Sequence, residues 1–180
     1  MPTSRQEALW VLRAQCDDQE ALECLLRSIQ TPLRRFAGGV VGASHADDVL
    51  QDVLVILCRK LKSLHTPELF RPWAFRIASR QAFRHIKKEK RWREQPTDES
   101  VLDGLAMLNI GPSSDLLQEL LSLDHLSPAS RAVLVLHFQE ELPLVEVAAI
   151  LELPVGTVKS RLAYGLAAIR KHVDQKRSHS

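Results

Sequence analysis

The sequence has little that would support a secreted, redox-active or membrane-spanning protein. It has 180 residues and only three cysteines, with no Cys-x-x-Cys pair, so we expect Cys16, Cys24 and Cys58 to be reduced thiols. No apolar run approaches the roughly 18 residues that a transmembrane helix needs, so no membrane insertion is predicted. The first residues contain Glu7 and no continuous apolar stretch, so no secretory signal is expected and a cytoplasmic location is predicted.

The sequence also lacks the motifs that usually indicate catalysis. It contains neither a GxxxxGK[ST] phosphate-binding loop nor an HExxH zinc motif, and its seven histidines are scattered. We therefore expect no enzyme activity, no catalytic residues, no cofactor and no metal site.

Glycine and proline are few, with seven and nine residues respectively, and the apolar residues recur at helical spacing nearly throughout. The predicted fold class is all-α. A first short helix has an apolar face of Ala8, Leu9, Val11 and Leu12. A longer helix follows a cap at Asp17 or Asp18, and Pro32 should kink it or split it in two. Further helices are predicted to begin at Ser44, at about Glu68, after Ser114, after Ser127, at Pro143 and at Thr157.

Charge is unevenly distributed, and this predicts two small helical domains joined by an acidic linker. Residues 96–128 contain six acidic residues and no Lys or Arg, and turn-forming residues are concentrated between 94 and 114. We predict a first domain over residues 1–93, a flexible linker over 94–114, a second domain over 115–175 and a tail over 176–180.

The most basic segment is residues 71–93, which contains nine Lys and Arg residues and one acid, Glu89. Such a charge density favours a polyanionic partner, most simply nucleic acid. Its basic residues recur at helical spacing, and aromatic residues between them could stack on unpaired bases. The alternative is a core helix with a solvated basic edge, and Trp73 fits either reading.

A helix-turn-helix is predicted near the C-terminus. A short helix over residues 144–151, a tight turn and a second helix from Thr157 match the spacing of this motif. The second helix would place its first turn in a major groove, with donors from Thr157, Lys159, Ser160 and Arg161. The alternative is a helical hairpin with solvated charges, and Tyr164 could either face DNA or pack into the core of the domain.

Three stretches together resemble the sigma-70 family of bacterial transcription initiation factors, in its extracytoplasmic-function (ECF) group. Residues 44–54 (SHADDVLQDVL) are similar to an acidic helix of the family, and residues 70–88 to its promoter-melting helix. Residues 126–138 and 154–162 are similar to its helix-turn-helix domain. The resemblance covers residues 5–173 and implies a sigma region 2 domain followed by a sigma region 4 domain.

The resemblance also implies site residues and partners. The core RNA polymerase would be bound, at its β′ clamp helices, by Asp48, Gln51, Asp52 and Val55. The melted −10 strand would be bound by residues 62–69 and by Trp73, Phe75, Arg76, Arg80, Arg84, Lys87 and Lys88. The −35 element would be read by Thr157, Lys159, Ser160, Arg161 and Tyr164. Further implied contacts are the β flap, promoter DNA and an anti-sigma factor.

Two stretches depart from the family pattern. Arg80 stands where the family often has Asn, and residues 163–166 (AYGL) replace a common Arg-x-Arg pair. The function implied is that of a sigma factor that directs polymerase to promoters. The alternative is a stand-alone helix-turn-helix regulator, which would leave the acidic helix face and the three-part layout unexplained.

Overall fold

The computed structural model describes residues 3–93 and 126–177, and these residues form helices and turns without any strand. The chain divides into two compact units, Met1–His85 and Ile86–Ser180. The predicted linker and the helix predicted after Ser114 lie outside the described residues. Within the described residues, the all-α prediction is confirmed.

Four helices make up the N-terminal part: α1 (Ser4–Gln15), α2 (Gln19–Val41), α3 (Ala46–Lys60) and α4 (Phe70–Arg93). Short 3-10 turns precede α3 at Ala43–His45 and α4 at Pro67–Leu69. Helix α2 packs against both α1 and α3. The core between the helices is built from large apolar side chains, including Leu25, Ile29, Leu33, Phe36, Leu57 and Phe70.

The ends of these helices follow their local sequence. Thr3 caps α1 through a bond from the Gln6 N–H, and Asp18 caps α2 through a bond from the Ala21 N–H. The hydrogen bond from the Ala21 N–H is the main cause that lowers the pKa of the Asp18 carboxyl, and the hydrogen bond from the Arg13 side chain lowers it further. Of the two outcomes predicted at Pro32, a split is wrong, because α2 runs unbroken across this buried proline, and a kink stays a prediction.

The predicted apolar face of α1 is half wrong. Ala8 and Val11 are buried, but Leu9 and Leu12 are more than half exposed. The buried face instead includes Glu7, whose carboxylate accepts hydrogen bonds of 2.7–2.9 Å from the Arg71 guanidinium. This ion pair joins α1 to the first turn of α4, because Arg71 is the second residue of that helix.

The C-terminal unit contains α5 (Pro128–Leu134), α6 (Leu144–Leu151) and α7 (Val155–Arg177). A π-helical turn, Val135–Gln139, continues α5 close to the end predicted for this helix. Helix α7 packs on both α5 and α6. It begins two residues before the predicted start at Thr157.

Candidate functional site

The exposed face of α3 carries the four residues predicted to bind polymerase. Asp48, Gln51, Asp52 and Val55 are all exposed, and their spacing of three or four residues places them on one side of the helix. The opposite side, with Val49, Leu50, Val53 and Leu57, is buried. The sequence pattern therefore located this face correctly, because burial of one side leaves the other to solvent.

The acids on α3 differ in what they contact within the chain. Asp47 accepts hydrogen bonds of 2.6 and 3.0 Å from Arg34, and this hydrogen bonding lowers the pKa of the Asp47 carboxyl. Asp48 and Asp52 form no ion pair within the described part of the chain. Their carboxylates are therefore available to a partner, while Asp47 ties α3 to α2.

The basic residues of α4 form a second surface. Arg80, Arg84, Lys87 and Lys88 are exposed, and Arg76 is half-buried with a Nε that has no hydrogen-bond partner. Residues 76, 80, 84 and 88 repeat every four positions, so they lie along one side of the helix. We call this set, with Lys87, the basic stripe. Among the described residues it is a continuous row of positive charge.

The aromatic residues beside the basic stripe have different environments. Trp73 is half-buried, with its ring centroid 6.2 Å from that of Phe70. The Phe75 ring is 2% exposed and meets the Phe36 ring edge-on at 5.8 Å. The prediction that Phe75 contacts DNA is therefore corrected, because its ring fills the core between α2 and α4. Trp73 is partly exposed.

The turn between α6 and α7 produces the predicted helix-turn-helix. Glu152 adopts a left-handed conformation with a φ of 57°, and the Leu153 N–H donates to the Ala148 carbonyl at 3.0 Å. Val158 then packs into the core with Val147 and Ile150. This arrangement fixes where the first turns of α7 begin.

The residues predicted to read duplex DNA lie on the first turns of α7. Lys159 and Ser160 are exposed, while Thr157 and Arg161 are half-buried. The Ser160 hydroxyl donates to the Gly156 carbonyl at 3.1 Å, which holds it against its own helix. Tyr164 is 55% exposed, so the alternative that it packs into the core is wrong.

Comparisons with known proteins agree with these features. The family model described as Sigma-70 region 2 matches residues 19–92, and the model described as Sigma-70, region 4 matches residues 122–171. The ECF RNA polymerase sigma factor SigW of Bacillus subtilis is 27% identical over 172 residues, which cover 87% of this chain and 90% of SigW. The ECF RNA polymerase sigma-E factor of Escherichia coli is 28% identical over 176 residues, covering 91% and 92%.

Solved structures share the fold. CnrH, in a complex with the cytosolic domain of CnrY, aligns with a TM-score of 0.64 at 21% identity, over 94% of this chain and 98% of CnrH. The sigma factor RpoE of Bartonella quintana, in a complex with the anti-sigma factor NepR, aligns with a TM-score of 0.66 at 21% identity. That alignment covers 84% of this chain and 96% of RpoE.

The fold and its surfaces define the class of helical, DNA-binding transcription initiation factors. The chain belongs to the sigma-70 family and is an ECF sigma factor of RNA polymerase. This family consists of initiation factors rather than of a class of catalysts. Among the described residues, no helix combines the length and the apolar character needed to cross a membrane.

Proposed function

We propose that the exposed face of α3 binds the β′ clamp helices of core RNA polymerase. The observation that carries this proposal is that Asp48 and Asp52 are exposed and form no ion pair in the described chain, beside an acid that does. Val55, at 43% exposure, would add an apolar contact at the end of the same face. Charged groups with an apolar neighbour are typical of interfaces that must be both specific and stable.

The basic stripe of α4 is proposed to hold the −10 region of the promoter as it melts. Its cations would contact phosphates, and the partly exposed Trp73 ring would stack on an unpaired base. Residues 62–69 would contribute beside it: Leu69 is 53% exposed there, whereas Lys62 is engaged by Asp17 at 2.7 Å. Phe75 acts only by supporting α4 from beneath.

The first turns of α7 are proposed to read the −35 element in the major groove. Lys159 and Arg161 supply the charge, and Tyr164 extends the same surface by one more turn. The second unit would also contact the β flap of polymerase, so that both promoter elements are engaged by one holoenzyme. The stand-alone regulator is not favoured, because both family models match in the order expected of a sigma factor.

The remaining proposals concern location and regulation. The chain would work in the cytoplasm, bound to core polymerase, and would have no catalytic activity of its own. An anti-sigma factor is proposed as a further partner, because the RpoE of Bartonella quintana, which shares the fold, is found in a complex with the anti-sigma factor NepR.

The test of polymerase binding is Asp52→Arg, which reverses one charge of the α3 face. Losing a charge-assisted contact at an interface commonly costs about 2–5 kcal/mol, so co-purification with core polymerase should be lost. Glu20→Arg is the matched control. It makes the same charge change at a residue of α2 whose side chain is 85% exposed and makes a loose contact of 3.9 Å with Arg13.

Both variants should keep the helical circular dichroism of the wild-type protein. In reconstituted transcription, the control should initiate at the wild-type rate and Asp52→Arg should not initiate. Equal polymerase binding by the two variants would remove the α3 face from the interface.

A further inference from the structure

We propose that His45, His85 and Glu89 form a binding site for a divalent transition-metal ion of the zinc type. Each residue offers a ligand atom, these atoms all lie within 4.8 Å of one another, and all three side chains are half-buried. The imidazole rings of His45 and His85 are 4.8 Å apart between centroids. Nothing in the family comparison or in the proposed function assigns a role to these residues.

The three ligands come from two segments of the backbone, the turn before α3 and the helix α4. His45 ends the 3-10 turn Ala43–His45 and occupies the position just before α3. That turn follows Gly42, whose φ of 90° lets the chain reverse after α2. His85 and Glu89 are four residues apart on α4, one turn along the same uninterrupted helix, so they point to the same side.

His85 provides an observation that points to a ligand. Its Nε2 atom is buried and has no hydrogen-bond partner, although the His85 ring lies next to the imidazole of His45. A buried polar nitrogen normally has a partner, because leaving it unsatisfied is unfavourable. A metal ion would satisfy the lone pair of a neutral imidazole nitrogen directly.

The donor set selects the class of ion. Two imidazoles and one carboxylate are the ligands preferred by Zn²⁺ and its neighbours in the first transition row, whereas Mg²⁺ and Ca²⁺ prefer oxygen alone. Zinc bonds of about 2.0–2.1 Å in a tetrahedron place ligand atoms about 3.4 Å apart. The ligand atoms lie within 4.8 Å of one another, so small side-chain rotations would bring them to the distances of a tetrahedral site. Water would take the fourth position.

Such an ion would connect the start of α3 with α4. The two helices carry the proposed polymerase-binding face and the basic stripe, so the ion would fix one surface relative to the other. That consequence rests on the proposed function, whereas metal binding itself does not.

The test uses the full-length chain after treatment with a chelator and desalting, with ZnCl₂ and CoCl₂ as probes. We expect one ion per chain by calorimetry, a rise in melting temperature with zinc, and visible absorption typical of four-coordinate Co²⁺. Glu89→Gln keeps the size of the side chain and should weaken zinc affinity at least tenfold, as should His45→Ala and His85→Ala. His65→Ala is the matched control, since it removes an exposed imidazole of the same unit and should bind as the wild type does.

The three cysteines are the main competing ligands, and the Co²⁺ spectrum distinguishes them through the intense near-ultraviolet band of thiolate coordination. The site is supported if the wild-type protein gives a Co²⁺ spectrum that lacks the thiolate band, and if Glu89→Gln no longer gives this spectrum. A thiolate band, an absence of zinc binding at micromolar concentrations, or equal affinity in Glu89→Gln and wild type would overturn it. Transcription activity is measured separately, so failure of the metal site leaves the proposed function standing, and failure of polymerase binding leaves the metal site standing.

Discussion

Gly165 gives the sharpest test of how the recognition helix is held. It lies inside α7, and a Cβ atom built there would be 2.9 Å from Cδ1 and 3.3 Å from Cγ of Leu134. Leu134 is a fully buried residue of α5. The glycine therefore permits a close approach between α7 and α5 that any larger residue would disturb.

Two opposing effects set the magnitude expected for Gly165→Ala. Replacing a glycine in a helix interior with alanine usually stabilises the helix by about 1 kcal/mol. Inserting a methyl group into a packed core usually costs about 1–3 kcal/mol. Leu134 is fully buried and cannot move into solvent to make room for the new methyl group. We therefore expect the packing cost to exceed the gain in helix propensity, and the unfolding free energy of the second unit to fall by about 1 kcal/mol.

The assay is urea unfolding of the full chain, combined with hydrogen exchange of peptides from residues 126–172. Ala167→Gly, at an exposed position of the same helix, calibrates the propensity effect and should cost about 1 kcal/mol. In a Leu134→Ala background the clash is absent, and Gly165→Ala should then stabilise by up to about 1 kcal/mol. If Gly165→Ala stabilises the chain equally in both backgrounds, the close approach does not constrain α7.

The other predictions concern the DNA-binding surfaces and the N-terminal ion pair. Trp73→Ala should slow open-complex formation on duplex promoters more than on pre-melted templates, since a stacked base contributes about 1–3 kcal/mol; equal effects would place Trp73 in a purely structural role. Arg161→Ala, like Lys159→Ala, should reduce initiation about tenfold on a promoter with an intact −35 element, and full activity of Arg161→Ala would refute the proposal that α7 reads this element. Tyr164→Arg should raise duplex affinity and steepen its salt dependence by about one phosphate contact without lowering the melting temperature. Glu7→Gln should destabilise the first unit by about 3 kcal/mol in thermal unfolding, because Arg71 is left without its counter-charge; a change below about 1 kcal/mol would show that the pair is not needed.

Most helices could be predicted because their signals are local. Caps at Thr3, Asp18 and Ser127, together with apolar spacing, indicate helices from a few neighbouring residues. The helix-turn-helix was predicted for the same reason, since its turn and both its helices lie within about 35 residues. The predicted start of α7 is two residues late, because Val155 and Gly156 resemble turn residues in the sequence but belong to the first turn of the helix.

Exposed site residues were also predictable where one helix face is strongly apolar. On α3, burial of Val49 and Val53 leaves Asp48 and Asp52 on the solvent side. On α4 this reasoning fails for the aromatic residues, because Trp73 and Phe75 both lie between Arg71 and Arg76 in the sequence and cannot be told apart there. The burial of the Phe75 ring and its contact with Phe36 show that it is part of the core.

Long-range pairs are the part that the sequence could not show. Glu7 and Arg71 lie 64 positions apart, and Gly165 of α7 lies against Leu134 of α5. Helical periodicity reports only which side of one helix is apolar, so it carries no information on which residue of another helix will be opposite. The wrong face predicted for α1 has this origin, since a buried acid is stable there only because Arg71 reaches it.

The ion pair between Glu7 and Arg71 reduces the positive charge that α4 presents to a partner. Residues 71–93 contain nine bases, but Arg71 is neutralised by a carboxylate that is itself 3% exposed. Its charge is therefore internal to the first unit and contributes little to the field around the helix. The positive surface available to a nucleic acid begins at Arg76, one turn beyond Trp73, and continues along α4 to Lys88. Trp73, which is partly exposed, lies one turn before this first cation, so a single strand bound along α4 could stack a base on its ring and contact Arg76 through a phosphate.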